Sequence, residues 1–418
     1  MGSKNRERRE FMKKILLLEG IHKVARDILE EQGFYVEEEK GAFASEEDLI
    51  NRAKGFHALG IRSKSKISQG VLEKLQPHLE VLGAFCIGTN QVDLEYANQC
   101  GVPVFNAPYS NTRSVAELVI ANIISLARHL GDCNMKAHKG IWSKTAIQRH
   151  EVRGKVLGIV GYGHIGSQVS VLAEALGLKV IYYDIVKKLP LGNAEAKESL
   201  EEVLKEADFV SFHVPETHLT KGMMGINQFR QMKEGAYLIN ASRGSVVDIS
   251  ALVEVIQSQK LRGAAIDVFP KEPPNNKEPF VSELQGLPNV ILTPHIGGST
   301  EEAQKAIGQE VALSLTQFFK RGSTSGAVNF PNLEVPPIKD FRRIINVHKN
   351  VPGVLGEINK IVSENSGNIQ AQHLATDTHI GYVVMDIGGC EIQKVAQEIS
   401  QLKTSIRTQV LEHFHEGA

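Results

Sequence analysis

The chain has little of what marks a specialised environment. Its 418 residues hold four cysteines and one tryptophan. Cys86, Cys100, Cys133 and Cys390 are scattered with no CxxC. That argues against a disulfide framework or a structural zinc site, so no metal is expected, and free thiols suit a reducing, cytoplasmic compartment. The formal charge is −1, which leaves no basic footprint for nucleic acid or an anionic membrane. No apolar run approaches the roughly twenty residues a bilayer requires. Residues 1–14 are basic, but the apolar run that follows, Ile15 to Leu18, is too short for a signal-peptide core, so a disordered leader is expected. The length implies two or three domains.

What is present is organised around Lys155 to Asp184, KVLGIVGYGHIGSQVSVLAEALGLKVIYYD. An apolar run leads into Gly161-Tyr162-Gly163-His164-Ile165-Gly166, then a helical pattern, a second apolar run and Asp184. A lone GxGxxG is weak, but one at a strand-to-helix junction, in a unit of about thirty residues with an acid about twenty further on, is specific for a dinucleotide. Gly161 permits the tight turn, Gly163 lets backbone approach a pyrophosphate, and Gly166 lets helix and strand pack closely. Asp184 suits the ribose hydroxyls of NAD and repels a 2′-phosphate; Lys187 and Lys188 just beyond keep NADP open as the alternative.

Before this unit, from Lys13 to Pro108, short apolar runs alternate with helical ones, which implies a parallel sheet of its own. Ser114 and Glu117 read as a capping box opening a buried helix from Val115 to Leu130. Gly140 to Val152, with Trp142, reads as a loop. After Asp184 four more strands are expected, each with polar residues at its carboxyl end, where ligands bind in open α/β sheets. A helix from Thr300 to Phe319 returns towards the first domain. Gly322 to Pro337 is rich in Gly, Pro and Ser and reads as a linker. The tail reads βαββαβ, a ferredoxin-like sandwich.

Arg243, Glu272 and His295 stand at expected strand ends. Oxidising a secondary alcohol beside a carboxylate requires a base for the hydroxyl proton, a cation for the carboxylate and forming carbonyl, and an acid partner that orients the base. Read alone, each residue has an ordinary alternative: a surface histidine, a capping ion pair, a solvated charge.

The strings VLGIVGYGHIGSQ, INASRGSVVD, AAIDVFPKEP and LTPHIGGST resemble those of the D-2-hydroxyacid dehydrogenases, and the tail resembles an ACT domain. The resemblance covers nearly everything from Lys13 onward. It implies a Rossmann-type doubly wound nucleotide domain (110–298) inserted in a flavodoxin-like α/β substrate domain (12–109 and 299–335), followed by an ACT domain (340–418). It assigns acid–base chemistry to His295, carboxylate binding to Arg243 and the histidine's partner to Glu272. NAD contacts are implied at Gly161, Gly163, His164, Ile165, Gly166, Asp184, Ala241, Ser242, Arg243, Asp267 (towards the nicotinamide amide), His295, Gly297 and Gly298.

With the ACT-like tail, the resemblance narrows to the branch that oxidises 3-phospho-D-glycerate to 3-phosphohydroxypyruvate at the start of the phosphorylated route to L-serine. The phosphate is expected at Arg62, Ser63 and Lys64, with Gly88, Asn111 and Lys144 as further substrate residues. His348, Asn350 and Asn368 match positions that contact L-serine, an effector bound between subunits. A homotetramer is implied, with a dimer as alternative. Reduction of 2-oxoglutarate to 2-hydroxyglutarate is a further expectation. The rivals are a hydroxypyruvate or glyoxylate reductase and an NADH-sensing corepressor-like binding protein. Formate dehydrogenases place glutamine where Glu272 stands.

Overall fold

The structure is a computed structural model that describes residues 12–43, 45–273, 277–337 and 342–411. Residues 1–11 of the expected leader, and Asp340, lie outside the described residues. The chain divides into two compact units: Met1–Ser110 with Gln304–Ala418, and Asn111–Ala303.

The first unit begins with four β–α steps and a fifth strand: β1 (Lys14–Leu17), α1 (Lys23–Glu31), β2 (Tyr35–Glu38), α2 (Glu46–Ala53), β3 (Ala58–Ile61), α3 (Gln69–Leu75), β4 (Val81–Ala84), α4 (Leu94–Gln99) and β5 (Val104–Phe105). The strands form a parallel sheet in the order β2-β1-β3-β4-β5, the flavodoxin-like arrangement. Ser45, Ser68 and Asp93 cap α2, α3 and α4 through backbone N–H groups of the first turn, each worth about 1 kcal/mol.

The second unit holds α5 (Thr112–Arg128), α6 (Leu130–His138), β6 (Val156–Val160), α7 (His164–Ala175), β7 (Lys179–Tyr183), β8 (Glu195–Ala196), α8 (Leu200–Glu206), β9 (Phe209–Phe212), α9 (Ile226–Gln231), β10 (Ala236–Asn240), α10 (Ile249–Gln257), β11 (Leu261–Ile266) and β12 (Val290–Leu292). Its parallel sheet runs β12-β11-β10-β9-β6-β7-β8. The order reverses between β6 and β9, which opens a crevice at their carboxyl ends.

The expected capping box is not there. α5 begins earlier, at Thr112, with Asn111 at its cap position and no side-chain cap bond. Ser114 falls inside the first turn, where its hydroxyl meets Thr300, and Glu117 pairs with Arg113. The asparagine–threonine start outcompetes the Ser–x–x–Glu pattern because Ser114 has a tertiary partner. The helix is buried on one face against Leu157, Ile159 and Val169. No single helix among the described residues is long and apolar enough to cross a membrane.

α11 (Glu301–Arg321) brings the chain back into the first unit. Ile307, Val311, Leu315 and Phe318 lie buried among Ile15, Leu17, Val81 and Phe105 of the first sheet, at roughly 1.5–3 kcal/mol each. The tail follows: β13 (Arg342–Lys349), α12 (Val354–Glu364), β14 (Asn368–Thr376), β15 (Ile380–Gly388), α13 (Ile392–Ser400) and β16 (Ser405–Leu411). They form an antiparallel sheet ordered β14-β15-β13-β16, with α12 and α13 buried on one face.

The segment read as a linker is instead packed structure. Thr324 Oγ1 donates to Pro331 O, the Thr324 N–H donates to Leu333 O, and Thr324 is fully buried. Asn329 accepts from the Val104 N–H and donates to the Leu94 and Val102 carbonyls. Phe330 and Val335 are buried with Ile345, Val347 and Tyr382 on the other face of the tail sheet. Side-chain bonds to backbone replace a regular ladder here, so the composition reads as loose while the contacts are not.

Candidate active site

In the second unit, the glycine turn between β6 and α7 has the form its spacing implies. Gly161 sits at φ +92°, and a Cβ there would lie 2.4 Å from His213 O. A Cβ on Gly166 would lie 2.1 Å from Gly161 O. Around Gly163 the space is open within 4 Å, and this residue caps α7 with no side-chain bond. The N-terminal N–H groups of a twelve-residue helix therefore open onto a cradle that a Cβ would narrow, which suits a pyrophosphate. His164 and Ile165 form the first turn of α7. Asp184, just past β7, accepts from the Tyr162 and Val186 N–H groups, which fixes its carboxylate at the end of the neighbouring strand. These residues fit an adenine dinucleotide.

The segment after β10 carries Ala241, Ser242 and Arg243. Asn240 anchors it: its side chain accepts from the Ser242 N–H and hydroxyl and donates to Arg243 O. The Arg243 guanidinium donates to Ser242 O at 2.7 Å. Gly244 must follow, because a Cβ there would lie 2.1 Å from Phe269 O.

Glu272 and His295 meet directly. His295 Nδ1 lies 2.9 Å from Glu272 Oε2, and Glu272 Oε1 accepts from the Phe269 N–H. The hydrogen bond to Glu272 raises the His295 pKa; burial opposes it, the charges of Glu272 and Asp267 add to it, and Arg243 works against it. Burial pushes the Glu272 carboxyl up, but the His295 and Phe269 bonds and the charges of His295 and Arg243 outweigh it, so its pKa is lowered. The mutual influence places Arg243 in the field of both groups.

His295 itself sits at φ +55°, a left-handed conformation that a non-glycine residue adopts at some cost and that marks functional sites. Asp267, 2% exposed, holds the loop. Its Oδ1 accepts from Thr293 Oγ1 at 2.6 Å and the Ile296 N–H at 2.9 Å, and its Oδ2 accepts from the Gly297 N–H at 2.9 Å. The resemblance pointed Asp267 at a nicotinamide amide; its protein partners are the Thr293 hydroxyl and two backbone N–H groups just after His295. Gly298 packs on Asn111, where a Cβ would meet Asn111 Nδ2 at 2.5 Å. Asn111 Oδ1 is buried without a partner. Lys144 is exposed in a stretch without regular structure beside Trp142.

In the first unit, Arg62, Ser63 and Lys64 form the turn after β3, and Cys86 to Asn90 the turn after β4. Gln91 ties them together by donating to Arg62 O at 2.9 Å and Gly88 O at 3.2 Å.

In the tail, His348 is buried, its Nδ1 bonds Asn346 Oδ1 at 3.0 Å, and burial lowers its pKa. Asn350 donates to Asp377 O. Asn368 is exposed at the start of β14. The three are not brought together within one chain. His348 pairs with Gly381 at one end of β15 and Asn368 with Gly388 at the other, about 20 Å apart at strand rise.

Comparison with known proteins agrees with this architecture. Residues 120–297 match the family model of the D-isomer specific 2-hydroxyacid dehydrogenase NAD-binding domain. Residues 344–407 match an AHAS small subunit-like ACT domain. A solved D-lactate dehydrogenase from Aquifex aeolicus, complexed with NAD and lactic acid, is 28% identical with a TM-score of 0.64, covering 73% of this chain and 95% of its own. Over nearly the whole length, the chain is 50% identical to D-3-phosphoglycerate dehydrogenase of Dictyostelium discoideum, covering 95% of this chain and 97% of that protein. It is 49% identical to D-3-phosphoglycerate dehydrogenase of Escherichia coli K12, with the same coverages. The chain belongs to the D-isomer-specific 2-hydroxyacid dehydrogenases and is an NAD-dependent oxidoreductase. Within that family, its curated relatives of about half-identical sequence carry the name D-3-phosphoglycerate dehydrogenase.

Proposed function

We propose that the chain oxidises 3-phospho-D-glycerate to 3-phosphohydroxypyruvate, the reaction its relatives are named for. NAD, when bound, supplies the hydride acceptor. The contact that carries the reading is His295 Nδ1 on Glu272 Oε2 at 2.9 Å. With Nδ1–H donated to the carboxylate, Nε2 is the free acceptor and takes the hydroxyl proton from C2 as hydride leaves that carbon. The imidazolium that forms is stabilised by Glu272 and Asp267. Arg243 holds the carboxylate and polarises the forming carbonyl oxygen. Arg62 and Lys64 supply cations for the phosphate, and the turn at Gly88 offers backbone N–H groups. In the reverse direction the same groups reduce a 2-oxo acid, so 2-oxoglutarate is a candidate second substrate.

L-serine is proposed as the effector. With His348 and Asn368 at opposite ends of β15, a site using both requires two tails, and β14, which carries Asn368, is one of the two edge strands that a second copy can extend. This favours a homo-oligomer, with a tetramer as the proposed state.

The test is NADH formation from 3-phosphoglycerate and from unphosphorylated D-2-hydroxy acids, with and without L-serine. A preference for the phosphorylated acid, reduced in Arg62→Ala, and loss of turnover with every acid in His295→Asn are expected. Equal turnover of D-glycerate and 3-phosphoglycerate would move the chain to the reductase reading. Binding of NADH without turnover of any acid would move it to the corepressor-like one.

A further inference from the structure

Glu19 has no place in the chemistry above, and nothing in its sequence setting distinguishes it from a solvated acid. Its environment does. It follows β1, it is 9% exposed, and among the described residues its carboxylate has no cationic partner. Instead Oε1 accepts from the Arg62 N–H at 3.1 Å and the Ser65 N–H at 2.8 Å, and Oε2 accepts from the Lys64 N–H at 3.0 Å. Three of the four backbone amides from Arg62 to Ser65 thus point at one carboxylate. Glu19 holds φ +64° and Gly20 φ +61°, two successive left-handed residues. A glutamate in that conformation is costly, and glycine or asparagine would adopt it more readily. What glutamate adds is a side chain that reaches across to the neighbouring strand end and charge-assisted bonds to N–H groups. The far side of the same turn is fixed by Gln91, which donates to Arg62 O.

We propose that Glu19 is the positioning residue of the phosphate site: it clamps the backbone of Arg62–Ser65 so that the Arg62 and Lys64 side chains are presented in a preset arrangement. The proposal rests on the reading of Arg62 and Lys64 as phosphate ligands. A clamp of this kind lowers the ordering cost of binding. Its loss therefore appears in affinity for the phosphorylated acid and not in the hydride step.

Glu19→Gln is the informative change. It keeps the length and one acceptor oxygen but sets an NH2 group against the third backbone N–H, so the turn loosens without an empty core. The KM for 3-phosphoglycerate should rise about tenfold, with kcat within about threefold and NADH affinity unchanged, whereas the KM for D-glycerate, which lacks the second anion, should stay within about twofold. In an Arg62→Ala/Lys64→Ala background the same change should add less than about twofold, because the groups it positions are gone. Equal KM increases for both acids, a loss confined to kcat, or full additivity in the double-substituted background would each overturn the proposal. If Arg62→Ala/Lys64→Ala leaves the KM for 3-phosphoglycerate unchanged, the phosphate reading falls and the proposal with it. If that variant raises the KM and Glu19→Gln does not, only the proposal falls. Thermal unfolding of each variant separates a loosened turn from a misfolded unit.

Discussion

Replacing Asp267 with asparagine tests whether this carboxylate works through the loop that carries His295. The side chain accepts three hydrogen bonds and is 2% exposed. Asparagine keeps one acceptor oxygen, which can still serve Thr293 Oγ1 and the Ile296 N–H. Its NH2 group then faces the Gly297 N–H, leaving a buried donor unpaired at about 1–3 kcal/mol. Loss of charge assistance in the other two bonds adds about 0.5–1 kcal/mol in all. The loop has reason to leave its native form, because His295 at φ +55° is held against its own preference. A total of roughly 1.5–4 kcal/mol, at about 1.4 kcal/mol per tenfold, shifts the loop's equilibrium against the competent form by roughly tenfold to several-hundredfold. The expected result is a fall of that size in kcat for NADH formation, with a smaller change in Tm because the defect is local. NADH affinity, measured by fluorescence titration, should weaken less than kcat falls. A kcat within threefold of the parent in a folded variant would refute the reasoning. A loss confined to NADH affinity would return Asp267 to a direct cofactor contact.

Glu272→Gln should shift the pH dependence. In the proposed mechanism the unprotonated imidazole is the base in the oxidation direction, so the rate should climb as pH rises through the His295 pKa. That pKa is held up chiefly by Glu272, so without the charge the acid limb of kcat/KM moves to lower pH while the plateau drops by about 10²-fold from lost orientation; an unmoved limb would contradict this. The last two glycines of the turn should part company. Gly166→Ala forces its Cβ to 2.1 Å from Gly161 O, lowering stability by about 1–3 kcal/mol and weakening NADH binding. Gly163→Ala enters open space and should weaken NADH binding with Tm unchanged; equal behaviour of the two in both assays would argue against a cradle at Gly163. Arg343→Met strands Asp386, whose two oxygens meet Arg343 at 2.6 and 2.7 Å. The cost should be about 3–5 kcal/mol by urea unfolding, and a double replacement with Asp386→Leu should recover most of it; no recovery would mean that the carbonyls of Arg321 and Pro336, which Arg343 also serves, carry the effect.

The architecture was legible because its signals are local. The apolar run Ala58 to Ile61 coincides with β3 and the run Val81 to Phe85 overshoots β4 by one residue, and the GxGxxG spacing sets three backbone conditions that a sequence displays outright. The Glu272–His295 contact spans 23 residues and needed the resemblance to suggest it, since neither residue shows its partner in its neighbours. Glu19 was not legible at all: its partners are backbone amides 43 to 46 residues away, and any residue but proline offers the same amide. The segment from Gly322 to Pro337 misled for the opposite reason. Glycine, proline and serine describe how free a chain is to bend, but Thr324 and Asn329 place their polar groups on fixed backbone partners, and composition does not record that. Ser114 illustrates the same limit at a helix end, where a tertiary hydroxyl contact outweighed a local cap.

The fixing of the tail has a practical consequence. Tyr382 donates to Gly322 O, where α11 ends, Arg343 reaches Arg321 O, and Asn98 bonds Asp377 on the tail's side. The tail is thus built into the body that also carries the Arg62 turn, with apolar side chains such as Phe330 shared between them. Cutting the chain after Pro337 would bare that shared surface and orphan the helix-end carbonyls, so a shortened enzyme would be sticky and fragile rather than simply one domain smaller. Variants meant to probe the tail are better made by altering single side chains at the exposed ends of its sheet, leaving its inner face seated.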